Sequence, residues 1–553
     1  MRGKYVLGAL GLFCSIMTLT RALAQSSSAS STPTWLNPVW QQALSAPLLL
    51  NSGIEGSAPA VLPQYTISLD LSGETTTYFP DGPITTASTS FFQSLGTNGR
   101  TCFSCHRPAN DWSITPLTLL ATFAATQGTD PVFAPVDGAD CPDKGAANNT
   151  FGLGFIAARS QLFTRGNFRI FLPPPANPQW VSVTVSSDPT GCETSAVYGI
   201  NNPTNPTLSF YRRPLPATNV IYTTPGLFGG GPNIMWDTRE PSLSSQFHDA
   251  TLVHAQATAS PTAAEIAQGV SFQSGSFTAQ TFDYVGRDLT GGDSSGALGG
   301  PVNLYEYSDA LPYLGNPFAV FSGGNCSVPV LPCPGSLFPS TVVPGDFNGT
   351  ELFSSFATSG GATAATIARR ESIARGEVLF NTRTFPISNV TGLNDLFGAA
   401  SPVLGTCSRC HNNANVGNDA FDDPKHLGIA DNSAPSQAPT GTTTISMAKD
   451  QPIFAFLCPQ GTIDYFSNPV VVNGVTYDEY QTSDPGVGWI TGQCSDLGKF
   501  KVPTLRGIGA RAPFFHGGQA ANMQQVILFY KNRFNIQLSA QDIQDLVNYM
   551  NSL

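Results

Sequence analysis

The stretch Cys102-Phe103-Ser104-Cys105-His106 has a second copy of the same form, Cys407-Ser408-Arg409-Cys410-His411. In each copy two cysteines are separated by two residues and followed directly by a histidine, which is the signature for covalent attachment of a c-type haem. Two thiols at this spacing can add to the two vinyl groups of one porphyrin, and the histidine then lies beneath the iron as its proximal ligand. A redox dithiol or half of a zinc site is the competing interpretation, but the chain has only six histidines, and two of them complete this pattern. The sequence therefore predicts two covalently bound haem c groups, with Cys102, Cys105, His106, Cys407, Cys410 and His411 as the attachment residues.

The N-terminus has the features of a secretory signal peptide. Arg2 and Lys4 form its positive end, an apolar run follows from residue 6 to 20, and residues 22–24 match a small-x-small cleavage site. The apolar run is about 15 residues long, which is shorter than the roughly 20 needed to cross a membrane. We therefore expect a signal peptide at 1–24, a periplasmic or secreted protein, and no membrane span after cleavage.

The remaining cysteines support the same compartment. Of the eleven cysteines, Cys14 lies in the signal and four belong to the haem motifs, which leaves six. An even number of such cysteines favours disulfide bonds in an oxidising space. Proximity along the chain suggests three pairs, although sequence alone leaves other pairings open. These pairs are Cys141–Cys192, Cys326–Cys333 and Cys458–Cys494.

The composition predicts short elements joined by long ordered loops, because the chain has 54 glycines and 44 prolines. We expect a mainly α fold of two cytochrome-c-like haem domains. Residues 25–34 form a polar, low-complexity lead that we expect to be disordered. Residues 35–360 then form an N-terminal haem domain with insertions, and residues 361–553 form a C-terminal haem domain. The segment 258–360 carries no motif to which chemistry can be assigned.

Three helices are predicted in the C-terminal domain. Good helix formers occupy residues 364–380. Asn522 can cap a second helix, and Ser539 with Asp542 forms a capping-box pattern before a third, strongly amphipathic one.

The formal net charge of the chain is −11. An acidic protein is a poor partner for nucleic acid and a good one for a protein with a basic face. Solubility alone explains this charge equally well.

Several segments around the two motifs resemble one known family. The first reads Trp-Asp-Thr-Arg from Trp236, with a leucine and a glutamine following at 243 and 246. The others are Phe-Lys-Val-Pro-Thr-Leu-Arg at 500–506, Ala-Pro-Phe-Phe-His-Gly-Gly at 512–518, and Lys-His-Leu-Gly at 425–428. Together they resemble the bacterial di-haem cytochrome c peroxidase superfamily, which includes the di-haem enzyme that matures the tryptophan-derived cofactor of methylamine dehydrogenase. Thr238 stands where the family has a glycine.

The resemblance implies a division of labour between the haems. The N-terminal haem would react with peroxide or another oxidant, and the C-terminal haem would receive electrons from a small redox protein, either a cytochrome or a cupredoxin. Trp236 would lie between the haems as an aromatic relay. A buried tryptophan in a domain interface is the simpler interpretation of the same residue.

The distal side of the N-terminal haem departs from the family pattern. The family has a glutamine ten residues after the relay tryptophan, here Gln246, and a glutamate ten residues further on. This chain has Gln256 at the second position, and an amide cannot act as a general acid or base. His248 and His254 lie close by in sequence, and either could transfer protons or coordinate the iron.

The resemblance also concerns two further metal-ligand positions. The sixth ligand of the C-terminal haem comes fourteen residues after the histidine of the 512–518 segment, which is Tyr530 here, and Met523 on the same helix is the competing ligand. A calcium ion between the domains would use the backbone carbonyls of Arg511 and Pro513.

These observations favour a di-haem c-type cytochrome oxidoreductase of peroxidase type. One alternative is a di-haem electron-transfer protein without peroxidase activity. Another is a di-haem oxygenase that resembles the secreted rubber oxygenases and uses dioxygen. The substrate is then peroxide, dioxygen or another small molecule.

Intact mass tests the first of these expectations. Mass spectrometry of the mature protein should give the mass of the chain from Gln25 plus two haem groups, because both thiol pairs are present. A product with fewer than two haem additions contradicts the assignment of the two motifs.

Overall fold

The computed structural model describes residues 58–223, 234–293, 295–310, 352–353, 362–395, 402–411, 415–417, 424–430, 450–463 and 467–553. The predicted signal peptide, the predicted disordered lead and the Cys326–Cys333 pair lie outside these ranges. Among the described residues, no helix combines the length and apolarity that crossing a bilayer requires.

The prediction of a mainly α fold is wrong. Over the part of the chain that the structure describes, helix including 3-10 turns makes up 34% and strand 20%. The strands lie outside the haem motifs, in segments rich in β-branched and aromatic residues, which pack well on a pleated surface. One local signal for them is Asn473-Gly474, where both residues have positive φ, 51° and 79°, and form the two-residue turn of a hairpin.

The helices are short except in the C-terminal part. In chain order they are α1 Pro116–Thr126, α2 Pro135–Gly138, α3 Pro142–Ala147, α4 Leu153–Ala157, α5 Ser160–Arg165, α6 Leu243–Val253, α7 Ala263–Ser274, α8 Pro301–Ala310, α9 Ala364–Thr382, α10 Gly488–Thr491, α11 Met523–Arg533 and α12 Ala540–Met550.

The strands form two four-stranded antiparallel sheets and several two-stranded ribbons. In chain order they are β1 Val61–Leu62, β2 Tyr65–Leu69, β3 Gly73–Tyr78, β4 Ile84–Thr85, β5 Phe168–Leu172, β6 Ser182–Ser187, β7 Leu208–Arg212, β8 Phe277–Asp283, β9 Arg287–Asp288, β10 Phe385–Ile387, β11 Val403–Gly405, β12 Lys425–His426, β13 Ile453–Pro459, β14 Asn468–Val472, β15 Val475–Thr482 and β16 Lys499–Phe500. The larger sheets have the orders β2-β3-β8-β9 and β14-β15-β13-β6, and the ribbons are β1-β4, β5-β7, β10-β11 and β12-β16.

The three predicted C-terminal helices are confirmed as α9, α11 and α12. The Asn522 side chain accepts a hydrogen bond from the backbone N–H of Gln525 at the start of α11. Ser539 and Asp542 form the reciprocal capping box at the start of α12. Local hydrogen bonding at these helix starts is therefore sufficient to place them from sequence.

The core of the C-terminal half forms where α9 crosses α12. Gly376 of α9 lies at the crossing, because a Cβ atom there would be 2.1 Å from the Asp545 carbonyl oxygen and 2.6 Å from the Tyr549 Cβ. Asp545 itself accepts hydrogen bonds from the Ser372 hydroxyl and the Arg375 guanidinium. A small residue thus lets the two backbones approach closely, and polar bonds fix their register.

Contacts also cross the predicted domain boundary near residue 360. Val183 and Val185 of β6 pair with Phe456 and Phe454 of β13. Phe353 and other residues before the boundary pack into the same buried cluster as α9 and α12. The division at 360 stays a prediction, and the two halves share both a sheet and a core.

Two of the predicted disulfides are confirmed. Cys141 bonds Cys192 with a Cα–Cα distance of 5.2 Å, and Cys458 of β13 bonds Cys494 with a Cα–Cα distance of 6.1 Å. Cys102, Cys105, Cys407 and Cys410 are free thiols, as haem attachment requires.

Replacing Gly376 with alanine should lower the stability of the holoprotein. The added methyl group meets the Asp545 carbonyl, and overpacking of this kind costs about 1–3 kcal/mol, more than the roughly 1 kcal/mol that alanine adds in helix propensity. Thermal unfolding followed by circular dichroism measures the effect. Val378→Ala, on an exposed position of α9 that is 53% accessible, is the control and should change little. Equal midpoints for the two variants would contradict the close approach of α9 and α12.

Candidate haem sites and the wall between them

The two haem motifs adopt the same local backbone. Residues 102–104 and 407–409 each form a 3-10 turn. The backbone N–H of His106 donates to the Cys102 carbonyl at 3.0 Å, and that of His411 donates to the Cys407 carbonyl at 3.0 Å. One turn geometry therefore presents two thiols and an imidazole in the same arrangement at both places.

His106 is oriented by a hydrogen bond to the backbone. Its Nδ1 lies 2.7 Å from the Trp112 carbonyl oxygen, which requires the proton on Nδ1 and leaves Nε2 with a free lone pair. Burial lowers the pKa of His106 to about 4, so the ring is neutral at neutral pH. Burial also lowers the pKa of His411 to about 4, while the Val416 and Pro503 carbonyls act in the opposite direction. Both histidines are thus neutral imidazoles suited to binding iron.

The thiols do not have the properties of a redox dithiol. Burial raises the pKa of Cys102, Cys105 and Cys407 to about 12. A reactive thiolate needs a lowered pKa. The structure therefore favours the haem interpretation of the motifs.

Each motif borders a large cavity. Cys102, Cys105 and His106 line the N-terminal cavity, which has a volume of about 1390 Å³ including the part open to solvent. The corresponding residues of the second motif line the C-terminal cavity, of about 1740 Å³ on the same measure. Sites for small molecules typically occupy about 300–1,000 Å³. The positions of the thiols, the neutral state of the imidazoles and the volumes of the cavities fit a haem c at both sites.

A single layer of residues separates the two cavities, and we call it the shared wall. The residues that line both cavities are Arg213, Pro214, Leu215, Pro216, Trp236 and Lys501. The Trp236 indole N–H donates to the Arg213 carbonyl at 2.8 Å. The backbone carbonyl of Trp236 accepts from the Lys501 N–H at 2.9 Å. Its ring centroid lies 6.1 Å from that of His516. Trp236 is therefore held between the cavities from both sides.

A buried ion cluster braces this wall. Arg212, at the end of β7, bonds Asp484 through Nε and Nη2 at 2.7 and 2.8 Å and Asp237 through Nη1 at 2.5 Å. Arg239 also donates to Asp237. Burial alone would raise the pKa of Asp237, but Arg212 and Arg239 outweigh it and hold the pKa below its usual value. Because Asp237 follows Trp236 directly, the cluster fixes the position of Trp236 in the wall.

Helix α6 presents one face to the N-terminal cavity. Gln246, Ala250 and His254 recur at intervals of four residues and all line that cavity. The His254 Nδ1 lies 2.6 Å from the Oδ2 of Asp137, a buried carboxylate that also pairs with Arg100. Sequence reasoning did not identify Asp137 or Arg100, because neither belongs to a local motif that includes His254.

His248 and Gln256 lie outside the cavity lining. His248 is on another face of α6, where its two ring nitrogens contact Asp249 and Ser260 at 2.8 and 3.1 Å. Gln256 is exposed at a positive φ of 55°, and its side chain oxygen accepts from Asn98 at 3.3 Å. Counting residues led to position 256, but α6 ends at Val253 and the chain turns there. The residue that continues the cavity face is His254.

Of the two candidate ligands on α11, Tyr530 lines the C-terminal cavity and Met523 does not. Tyr530 lines the cavity, and burial raises the pKa of its hydroxyl well above the usual value. Met523 is 4% exposed, belongs to the core, and is not among the lining residues. Seven residues of helix rise about 10.5 Å, so a shared face does not bring both side chains to one iron. A second thioether, that of Met550 of α12, does line the cavity.

The calcium ion that the resemblance implied does not fit this chain. The Arg511 carbonyl, one of its expected ligands, accepts a hydrogen bond from the Arg213 guanidinium. The Arg511 side chain donates to the Thr504 and Arg506 carbonyls, and its Nε lies 3.2 Å from an Asp111 carboxylate oxygen. Across the described residues, no cluster of three or more His, Cys, Asp or Glu side chains could hold a metal ion. Two arginines supply positive charge at this boundary instead.

Comparison with known proteins gives two partial matches. No protein-family model matches the chain. A cytochrome c551 peroxidase of Nitrosomonas europaea is 30% identical over 95 residues, which cover 16% of this chain and 28% of that protein. A cytochrome-c peroxidase of a Pseudomonas species, IdrP1, is 30% identical over 93 residues, which cover 14% of this chain and 24% of that protein.

Over those segments the chain is similar to cytochrome c peroxidases. The matches span about a quarter of each relative, so the activity of the whole chain is a matter for proposal. Neither relative is named as a cofactor-maturing enzyme.

Exchange of Tyr530 tests the sixth ligand of the C-terminal haem. Tyr530→Phe should shift the near-infrared and EPR signature of the ferric holoprotein, because it removes the phenol that lines the C-terminal cavity and that the resemblance implies as the sixth ligand. Met523→Leu should leave both signatures unchanged, since Met523 lies in the core. A shift with Met523→Leu and none with Tyr530→Phe would make Met523 the ligand. If neither variant shifts the signatures, Met550→Leu tests whether the second thioether is the ligand.

Proposed function

We propose that this chain is an exported di-haem c-type cytochrome oxidoreductase of peroxidase type. The observation that carries the proposal is the shared wall, in which Trp236 separates two cavities that each contain a complete haem attachment motif. Haem c, when bound, supplies a redox-active iron that exchanges electrons and can bind small oxidants. The similarity to two cytochrome c peroxidases supports the same reaction class.

The two cavities differ in the side chains available for chemistry, which supports a division of labour. Gln246 and His254 bring an amide and an imidazole to the N-terminal cavity. Tyr530 projects from a surround of aromatic side chains that includes Phe515 and Phe534 at the C-terminal cavity. Hydrogen-bonding and proton-transfer groups suit reaction with peroxide, whereas an apolar surround with one phenol suits electron transfer. The N-terminal site would therefore react with oxidant and the C-terminal site would take up electrons.

The electrons would come from a small redox protein. The net charge of −11 favours a donor with a basic face, such as a small cytochrome or a cupredoxin. Such donors belong to the periplasmic or secreted setting that the N-terminal signal predicts.

One observation favours a second function. His254 lines the same cavity as His106, so an imidazole is available to occupy the remaining side of the iron. In that case the protein is a di-haem electron carrier that does not reduce peroxide.

The activity can be tested with hydrogen peroxide and a reduced cytochrome as donor. The native holoprotein should oxidise the donor only when peroxide is present. Trp236→Phe should slow this turnover by roughly ten-fold or more, equivalent to a barrier about 1.4 kcal/mol higher, because phenylalanine is harder to oxidise than tryptophan. The optical spectra of both haems should remain nearly unchanged, since no iron ligand is altered.

Trp489→Phe is the matched control. Trp489 is buried, its indole donates to the Leu172 carbonyl at 3.4 Å, and it lines neither cavity. It should retain the native rate. A native protein that leaves the donor reduced in the presence of peroxide would exclude the peroxidase function. Equal rates for Trp236→Phe and the native protein would leave Trp236 as a packing residue.

A further inference from the structure

A buried charge cluster lies directly behind His254. Asp137 of α2 is 1% exposed and uses both carboxylate oxygens, Oδ1 for the Arg100 guanidinium and Oδ2 for the His254 Nδ1. Arg100, 2% exposed, is fixed in turn by the Pro131 and Val132 carbonyls, each at 2.8 Å. These groups come from three separate parts of the chain, so their convergence on one imidazole is a feature of the tertiary structure.

The backbone of His254 is fixed as firmly as its ring. The Asn98 side chain amide donates to the His254 carbonyl at 2.8 Å, and Arg100 Nη1 donates to the same carbonyl at 3.3 Å. The Thr97 N–H bonds the next carbonyl, that of Ala255, at 3.0 Å. The loop that leads into the first haem motif therefore holds the end of α6 against the cavity.

The charge of Asp137 decides which nitrogen of His254 can react. Burial alone would raise the pKa of Asp137, but Arg100 and His254 outweigh it and hold the pKa below its usual value. An ionised carboxylate next to Nδ1 keeps the proton on that nitrogen. The Nε2 of His254 is then the nitrogen left for a molecule in the N-terminal cavity, and in the neutral ring it is a proton acceptor.

We propose that Asp137 and Arg100 are positioning residues that make His254 the proton-transfer residue of the N-terminal cavity for small neutral oxidants such as hydrogen peroxide. The inference rests on the proposed function, and it assigns to His254 the task that Gln256 cannot perform. Gln246, on the same face of α6, can hold such a molecule by hydrogen bonds but cannot accept its proton.

The proton balance of the reaction is closed. His254 Nε2 takes a proton from one oxygen of hydrogen peroxide and returns it to the other oxygen as the O–O bond breaks. In full, hydrogen peroxide, two electrons and two protons give two water molecules. The electrons come from the reduced donor protein by way of the haems, and both added protons come from solvent, because the proton that His254 moves belongs to the peroxide itself.

Cyanide binding to the ferric holoprotein tests the proposal without any electron transfer. Neutral hydrogen cyanide must lose its proton to bind iron as the anion, so a base in the cavity accelerates binding near neutral pH. Rapid mixing at several pH values gives the association rate at the N-terminal haem. His254→Gln should slow it by about 10²–10³-fold near neutral pH, within the range for loss of a general base. In that variant the rate should rise with pH as the cyanide anion becomes available in solution.

Asp137→Asn should slow cyanide binding to a similar extent, because an amide can donate to Nδ1 and move the ring proton to Nε2. His248→Gln is the matched control, since His248 lies on α6 outside the cavity, and it should keep the native rate and pH profile. If Asp137→Asn does not fold with haem, the comparison of His254→Gln with His248→Gln still decides whether His254 is the base.

Other charged groups around the cavity must be considered when the pH profile is analysed. Those nearest His254 are Asp137, Arg100 and His106, and the cations elsewhere on the lining are Arg212, Arg213, Arg239 and Lys501. All of these remain in the His248→Gln control, so a change confined to His254→Gln belongs to His254.

Two results would overturn the inference. Equal cyanide rates in the native protein and His254→Gln would show that His254 transfers no proton. A native low-spin spectrum at the N-terminal haem that becomes high-spin only in His254→Gln would make His254 an iron ligand. If cyanide kinetics follow the expectation but peroxide oxidises no donor, the inference on His254 stands and the peroxidase function fails.

Discussion

The buried ion cluster centred on Arg212 is the interaction on which the two-cavity arrangement depends. Arg212 ends β7, Asp237 follows Trp236, and Asp484 precedes α10, so one guanidinium joins three distant segments. All three side chains are nearly fully buried, with exposures of 2%, 0% and 3%. Removal of one partner from such a cluster leaves an uncompensated charge in the interior, which typically costs about 3–5 kcal/mol. The cluster therefore ties the wall between the cavities to both halves of the chain.

The wall has a consequence for how the two sites can communicate. Arg213 donates to the Arg511 carbonyl, and its own N–H donates to the His516 carbonyl at 2.7 Å. The indole of Trp236 donates to the Arg213 carbonyl. Main-chain and side-chain groups of Arg213 thus connect Trp236 with the segment that borders the C-terminal cavity.

Chemical asymmetry between the cavities arises from what packs against each haem motif. Around the N-terminal cavity, α6 brings an amide and its C-terminal end an imidazole, and α2 brings the carboxylate of Asp137 behind that imidazole. Around the C-terminal cavity, α11 and α12 bring aliphatic side chains, the Met550 thioether and one phenol, and the neighbouring loops bring phenylalanines. The two attachment motifs have the same local geometry, so the difference in reactivity that we propose lies in these surroundings.

The β-sheets explain why the composition was misleading about the fold. Glycine and proline content correctly indicated short elements, but it carried no information on their type. Strand β6 lies in the N-terminal half and its partner β13 lies beyond residue 450, so neither can be recognised as part of a sheet from its neighbours in sequence. The Asn473-Gly474 hairpin was a local signal that could have been used.

Sequence alone determined the features that depend on a few consecutive residues, which are the two haem motifs and the starts of α11 and α12 with their caps. Their physics is local, because a thiol pair or a capping side chain acts over a short stretch of chain. Sequence suggested the Cys141–Cys192 and Cys458–Cys494 pairs, and the structure chose them among the possible pairings. Only the tertiary structure decided that His254 and not Gln256 faces the N-terminal cavity, that Tyr530 and not Met523 faces the C-terminal one, and that Asp137 stands behind His254 across 117 positions of sequence. These outcomes depend on where a helix ends and on which distant side chain fills the space beside it, and spacing along the chain does not specify either.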